Sequence, residues 1–336
     1  MKAIGYQQSL PANDAAALVD IEVPEPIPQA NDLLIQVEAI AVNPVDTKIR
    51  KRVQPAAGSY KILGWDACGT VLQCGSQVSQ FKPGDRVFYA GELERSGCNA
   101  AQQLVDARLV GRAPTSIDSA AAAALPLTSL TAWELLFERL AVPAQGDTRL
   151  LIIGAGGGVG SIMIQLAKQL TNATVIATAG RAASQAWVTE LGADVVLDHN
   201  QPLAPQLAAH NIENVSHIAS LTHTDQHFEA LAQLVAPQGK IALIDDPEQP
   251  LDIKLLKQKS VSLHWEFMYT KSLFKTADMQ TQGDILNQVA QLVDQGKVRS
   301  TVQTTLGSIN ATNLRHAHQQ LEQQHVMGKI VLAGWE

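Results

Sequence analysis

The sequence is poor in cysteine, in aromatic side chains and in positive charge, and each shortage closes off a class of protein. Three cysteines in 336 residues, Cys68, Cys74 and Cys98, are too few for a disulfide framework and fit a reducing compartment. Aromatic residues make up 4% of the chain, and 25 Lys plus Arg face 32 Asp plus Glu, a formal net charge of −7. Nucleic-acid surfaces need clustered basic groups. The longest basic cluster is the short KIRKR at 48–52, so no nucleic-acid partner is expected. No uninterrupted apolar run reaches the ~18 residues of a membrane span. Lys2 is followed by mixed residues, which is not the pattern of a secretory signal. What remains, 46% hydrophobic and 17% charged, can bury substantial cores. The expectation is a cytoplasmic protein of two domains, since domains run ~100–200 residues.

Residues 1–125 read as β-rich. DLLIQVEAIAV (32–42), GTVLQC (69–74) and DRVFYA (85–90) are short apolar or alternating runs between turn residues. After Pro126 the texture changes. SLTAWELLFERL (129–140) has helical spacing, and apolar strands then alternate with helices. The strands are RLLIIG (149–154), TVIATA (174–179), VVLD (195–198), HIASL (217–221) and KIALID (240–245). Helices are expected over 159–170 and 182–191. This alternation predicts a parallel sheet covered on both faces by helices. From about 271 a helix (283–296), a strand (298–307), a helix that Asn310 could cap (310–324) and a strand (329–334) follow. These last residues form no unit large enough to stand alone, so they are expected to rejoin the first domain. The reading is an α/β chain: a doubly wound dinucleotide domain over 126–270, and a β-rich domain formed by 1–125 with 271–336.

The sharpest motif is IIGAGGGVG, 152–160, between an apolar strand and a helix. Glycines there let the backbone turn tightly and approach a pyrophosphate, whose charge is favoured by the helix start. Gly154, Gly157, Gly158, Val159 and Gly160 are therefore cofactor-binding candidates; a plain turn with close helix–strand packing is the other reading. NAD sites usually carry an acid about 20 residues on. Here ATAGRAAS (177–184) offers Gly180 and Arg181. A guanidinium can grip a 2′-phosphate that a carboxylate would repel, so NADPH is expected over NADH. Ligands bind at the carboxyl ends of such strands, which adds His199, Leu221 and Thr222. His223 and His227 share a helix face without an intervening general base and are placed in the cofactor pocket, with Thr224 or Asp225 capping the helix. His316 and His318 face different ways on their helix and are expected to be solvated.

AVNPVDTKIR (41–50), ILGWDACG (62–69), FKPGDRV (81–87), LPLTSLTAWELL (125–136) and IIGAGGGVG together resemble the medium-chain dehydrogenase/reductase superfamily over essentially the whole chain. NPVD and LTAWE resemble its quinone-reductase, zeta-crystallin-like branch. GWDACG, SLTHTDQHF (220–228) and SLHWEFM (262–268) resemble a bacterial group labelled zinc-type alcohol dehydrogenase-like proteins. The resemblance implies a Rossmann domain beside a GroES-like catalytic domain, and a homodimer, with edge strands of the cofactor domain as a candidate interface. Zinc-dependent members place a Cys near NPVD, a Gly-His-Glu where this chain has Gly64-Trp65-Asp66, and a Cys where it has Thr128 and its neighbours. All three positions are altered, and 92–101 supplies only Cys98 of the four cysteines of a structural zinc lobe. No zinc, and no other metal, is expected.

Without a metal, simple alcohol oxidation loses its Lewis acid. Metal-free members reduce quinones or carbon–carbon double bonds conjugated to a carbonyl, so the resemblance implies NADPH-dependent hydride transfer to a quinone or enone. Asn43 is a candidate for bonding the ribose or substrate oxygen, with a turn role before Pro44 as its other reading. Lys48 stands where quinone-reductase relatives show Tyr, making it a candidate proton donor or else a solvated lysine. Asp46 is read as orienting its neighbours. Thr128 matches a position that holds the nicotinamide end. Trp65, Tyr60, Tyr89, Trp265 and Phe267 are candidate pocket walls, with packing as the alternative for each. An alcohol or aldehyde reductase of the same superfamily, and an NADPH-sensing binding protein, are the competing readings.

Overall fold

Six apolar segments form one all-parallel sheet in the second half of the chain. The coordinates, a computed structural model, describe residues 1–323 and 326–336. The sheet runs Val195–Leu197, Thr174–Thr178, Arg149–Ile153, Val215–Ser220, Val235–Leu243, Ser262–Trp265. In chain order this is 3-2-1-4-5-6, the doubly wound dinucleotide-binding arrangement. The sheet's side chains are apolar on both faces because helices cover both. Leu151, Ile153, Ile176, Ile218, Ile241 and Leu243 form its buried centre. Helix Gly158–Leu170 follows the first strand, and its Ser161 accepts a 2.8 Å bond from the indole of Trp187 on helix Ala182–Glu190.

The chain divides into Thr131–Met268 and a unit of Met1–Leu130 with Tyr269–Glu336. The sequence boundaries at 125/126 and 270/271 thus sit a few residues from those of the structure. Helix Pro126–Trp133 is the reason for the first offset. Its opening turn is tied to the β-rich unit, because Leu127 N–H donates to Asp66 at 2.8 Å. The helix expected over 129–140 then changes winding. Glu134–Arg139 is π-helical, with Leu140 N–H donating to the Leu135 carbonyl at 2.9 Å, the kind of local bulge often found at functional sites. By length and composition the helical run Ser119–Arg139 could cross a membrane, but 72% of its most apolar window is buried inside the protein.

The β-rich unit is organised by the 11-residue strand Asp32–Val42. One edge pairs with Ala67–Cys74. The other edge is shared by Gln102–Asp106, opposite Asp32–Gln36, and by Lys329–Ala333, opposite Ala39–Val42. The C-terminal strand therefore belongs to the first unit's sheet. Its register sets Ile330 against Val42, which places Lys329 beside Asn43. Asn310 caps helix Ala311–Glu322, accepting from Asn313 N–H at 2.8 Å. The expected end of this helix at 324 lies outside the described residues.

That helix corrects one expectation. His318 is fully buried rather than solvated. Its Nδ1 accepts from Nε of the buried Arg50 at 3.2 Å, and Arg50 also pairs with Glu322 and bonds the Leu10 carbonyl. Helix Pro44–Arg52 packs there, so His318 faces an interior that the spacing of two histidines did not reveal. Burial, helped by the Arg50 charge, pushes its pKa down to about 3.

Candidate functional site

The glycine turn sits where strand order reverses, between Arg149–Ile153 and Val215–Ser220, the crevice in which such sheets bind ligands. Gly154 has φ +76°, and a Cβ there would lie 2.6 Å from Thr222 Cγ2. Its N–H donates to Thr178 Oγ1 at 3.1 Å, tying the turn to the end of the neighbouring strand. A Cβ on Gly160 would lie 2.5 Å from the Ala155 backbone, so only glycine allows this helix–strand approach. Gly157 precedes helix Gly158–Leu170 in an extended conformation, and Gly158 and Val159 form its first turn. Their N–H groups and the helix dipole make an anion site.

Three further strand ends reach the same crevice. Arg181, exposed, stands at the start of helix Ala182–Glu190, after strand Thr174–Thr178. His199 follows strand Val195–Leu197, and its Nδ1 lies 3.3 Å from Thr178 Oγ1. Leu221 and Thr222, both half-buried, follow strand Val215–Ser220. Thr222 Oγ1 is 2.8 Å from Nδ1 of His223, which has a left-handed backbone (φ 50°). These residues fit a dinucleotide: a turn that excludes a Cβ, a helix start facing the crevice, and a guanidinium with no acid where NAD sites carry one. One expectation is corrected here. Neither Thr224 nor Asp225 caps helix Thr224–Leu234; Asp245 does, accepting from Thr224 N–H at 2.9 Å and Oγ1 at 2.5 Å. Thr224 is already inside the helix, so the cap comes from the neighbouring strand's end.

In the β-rich unit the region read as a lost metal corner is closed. Lys329, 3% exposed, donates from Nζ to the Val42 carbonyl at 3.1 Å, to Asp66 Oδ2 at 2.8 Å and to Asn43 Oδ1. These three acceptors match the three protons of an ammonium. Asp66 also accepts from Asn43 Nδ2 at 2.8 Å and, through Oδ1, from Leu127 N–H. Its partners are all donors, the pattern of a carboxylate. Burial raises the Asp66 pKa, and the Lys329 charge and these donors oppose the rise. Asp46 accepts from Asn43 N–H at 2.8 Å and closes the helix start. Burial pushes it up to about 7, against the Asn43 N–H and Lys329.

This donor set does not fit zinc. Zinc takes Cys, His or acidic ligands. Here a carboxamide, a carboxylate already paired to an ammonium, and the Thr128 hydroxyl, which donates to the carbonyls of Ala124 and Leu125, occupy the corner. Cys98 is buried with its thiol on the Asp66 carbonyl, and burial raises its pKa far above the usual thiol range. Among the described residues, no group of three His, Cys, Asp or Glu is placed to hold a metal ion.

The remaining pocket candidates separate cleanly. Trp65 is 1% exposed with its indole donating to the Glu92 carbonyl at 2.9 Å, and Tyr89 is 1% exposed. Both are interior residues of the β-rich unit, not walls, because the strand Ala67–Cys74 that follows Trp65 pairs with Arg86–Tyr89 in the buried sheet. Tyr60 (45%), Trp265 (56%) and Phe267 (48%) are exposed. Lys48 is half-buried on helix Pro44–Arg52. Two polar clusters escaped the sequence reading. One is Lys329, whose signal was a cation heading the apolar strand KIVLA. The other joins Glu266, flanked by the exposed aromatics, to Arg139 Nε at 2.8 Å and to Glu134. Both carboxyl groups are buried, and burial and the neighbouring Glu134 raise the Glu266 pKa.

A 3-2-1-4-5-6 parallel sheet with a glycine-rich switch point, inserted into a β-rich unit, defines a dinucleotide-dependent oxidoreductase. Residues 29–119 match the alcohol dehydrogenase GroES-like domain, and residues 191–332 the zinc-binding dehydrogenase family. The chain is 38% identical over 336 residues to a zinc-type alcohol dehydrogenase-like protein of Staphylococcus epidermidis, covering 99% of each. A solved structure from Rhizobium etli, assigned to the zinc-dependent alcohol dehydrogenases, superposes with a TM-score of 0.97 at 49% identity, covering 100% of this chain and 98% of the other. A mycobacterial protein, Rv1454c, solved with NADPH, gives a TM-score of 0.83 at 27% identity, covering 99% and 100%. A chloroplastic quinone-oxidoreductase homolog of Spinacia oleracea is 37% identical over 215 residues, 62% of this chain and 64% of its own. The chain belongs to the medium-chain dehydrogenase/reductase superfamily, in its group of zinc-type alcohol dehydrogenase-like proteins.

Proposed function

We propose that this protein is an NADPH-dependent reductase that delivers hydride to a quinone or an α,β-unsaturated carbonyl without a metal. The observation that carries the reading is the Asn43–Asp66–Lys329 cluster: an internal ammonium pairs with the carboxylate of the corner where zinc-dependent relatives bind metal. Quinones and enones need no Lewis acid to accept a hydride, whereas alcohol oxidation leans on one. Arg181, at a position where an NAD site would carry an acid, supports the phosphorylated cofactor. So does the similarity to the NADPH-bound mycobacterial protein.

Bound NADPH would supply the hydride. The chain's own part is to bind, orient and protonate. Gly154, Gly157, Gly158, Val159 and Gly160 would face the pyrophosphate with backbone N–H groups, Arg181 the 2′-phosphate, and His199, Leu221 and Thr222 the adenosine side of the crevice. Thr128 is assigned to the nicotinamide end. Asn43 and Asp46 act through position: their polar atoms are bonded within the corner and fix the start of the helix that carries Lys48. Lys48 is the proposed proton donor to the developing enolate or phenolate oxygen, and Tyr60, Trp265 and Phe267 are the proposed apolar contacts. Among the described residues the strand Ser262–Trp265 is the last of the parallel sheet, which suits a homodimer formed edge to edge. A cytoplasmic setting accords with three free cysteines.

The names of the staphylococcal relatives favour a second reading, an alcohol or aldehyde reductase. NADPH oxidation with quinones, 2-alkenals, enones and saturated aldehydes, before and after chelator dialysis, separates the two. Activity on quinones or enones that survives dialysis supports the proposal. Activity lost on dialysis and restored by zinc, or confined to saturated aldehydes, overturns it.

A further inference from the structure

Three imidazoles gather at the strand ends beside Arg181. His199 closes strand Val195–Leu197, while His223 precedes and His227 lies within helix Thr224–Leu234. The rings of His199 and His227 are 6.2 Å apart, tilted by 58°. Gly180, next to Arg181, leaves room for this cluster: a Cβ there would lie 2.8 Å from His199 Nε2. The glycine at 180 thus lets an imidazole approach the backbone beside a guanidinium.

The neighbouring acids are engaged elsewhere. Asp198 accepts from Asn200 N–H at 2.9 Å and Nδ2 at 2.8 Å. Asp245 caps Thr224. Asp225 accepts from the N–H groups of Gln226, Glu248 and Gln249. Burial lowers the pKa of His199, the Asp198 charge opposes the fall, and His223 and Arg181 add to it. Burial likewise lowers that of His227, with His199 and His223 adding to the effect and Asp225 and Asp245 opposing it. At neutral pH His199 and His227 are thus held in their neutral form near the Arg181 cation.

We propose that His199 and His227, with His223 beside them, form with Arg181 a proton-accepting receptor for the phosphomonoester on the adenosine end of the cofactor. This inference rests on the NADPH reading and adds its regulation. A phosphate dianion placed among the imidazoles favours their charged form, as an opposite charge within ~4–6 Å does. One proton then moves from solvent to the cluster as the nucleotide binds, and no bond in the nucleotide changes. NADH, without the phosphate, gives the imidazoles no reason to ionise. Discrimination between the two nucleotides therefore grows as pH falls.

Isothermal titration calorimetry of the full-length protein tests this. NADPH and NADH are titrated at about pH 7.5 in phosphate-free buffers of different ionisation enthalpy, for wild type, H199Q and H227Q. The expected result is uptake of between half a proton and one proton with NADPH and almost none with NADH. NADPH affinity should strengthen several-fold from about pH 8.5 to about pH 7, a span in which the phosphate stays mostly dianionic because its second pKa is about 6. Either variant should lower the uptake and flatten this trend for NADPH while still binding NADH with no proton uptake, which shows a crevice that still takes a nucleotide. Equal proton counts for the two nucleotides, or uptake unaltered in both variants, overturns the inference and leaves the cofactor reading standing. Failure of NADPH to bind wild type overturns both.

Discussion

The corner around Asp66 and the crevice around Gly154 use polar groups in opposite ways. At the corner Lys329 and Asn43 donate to protein acceptors, and Asp66 receives bonds on both oxygens. In the crevice a helix start, a guanidinium at a strand end and half-buried imidazoles line one switch point. The first arrangement holds strands and a helix in place. The second has the chemistry to hold an anion. A resemblance to metal-dependent relatives would put the chemistry at the corner; there the polar groups are closed on one another, whereas the crevice carries groups suited to an anion.

The hardest test of this contrast is Lys329→Met. It leaves the Asp66 carboxylate buried without its cation, and removing one partner of a buried pair costs about 3–5 kcal/mol. Thermal unfolding should show Tm falling on the order of 10 °C. Adding Asp66→Asn should recover a large part of the loss, because the uncompensated charge goes with it. A single variant as stable as wild type would mean that the corner is not held by its ion pair.

Gly160→Ala breaks the crevice instead. The new Cβ would meet the Ala155 backbone 2.5 Å away, so the helix must shift from the strand and carry the anion-binding turn with it. Such overpacking costs about 1–3 kcal/mol, and NADPH and NADH should both bind at least tenfold more weakly by fluorescence titration. Arg181→Ala acts on one nucleotide only. A charge-assisted contact to phosphate is worth about 1.5–3 kcal/mol, so NADPH affinity should fall about tenfold or more while NADH affinity stays put. Equal losses for both would remove Arg181 from the phosphate.

The crevice was largely legible in the sequence because its parts are local. A strand, a glycine turn, a helix and the next strand's end lie within about 30 residues, and their periodicities read directly. The corner was half legible. Trp65 and Asp66 stood out by their departure from a metal-binding pattern. Lys329 did not, because its partner residues lie over 260 positions away and meet it only through the register of Lys329–Ala333 against Asp32–Val42. His318 was missed for the same reason: its burial is decided by a helix from the other end of the chain. Trp65 shows the reverse error, since a residue marked by its motif position turned out to face the interior.

Glu266 sharpens the comparison, because it sits in a buried cluster that is neither saturated like the corner nor built for an anion like the crevice. Two buried carboxyl groups, Glu134 and Glu266, lie against each other, and Arg139 pairs with Glu266. Repulsion between two buried acids calls for a proton between them, and among the described residues no fixed donor reaches Glu266 Oε1. The folded protein therefore keeps a proton that the unfolded chain releases above the usual carboxylate range, about 4.3. With the folded pKa raised, this group's contribution to stability is fully present below that range and is lost as pH rises through the folded pKa. Glu266→Gln carries a permanent amide in the same space, so it should lose less stability than wild type between about pH 5 and about pH 9. Each pKa unit by which folding raises this group is worth about 1.4 kcal/mol of that difference. Asp46, also raised, leaves a common slope in both proteins. Parallel stability curves for wild type and variant would show that the proton does not reside on this pair.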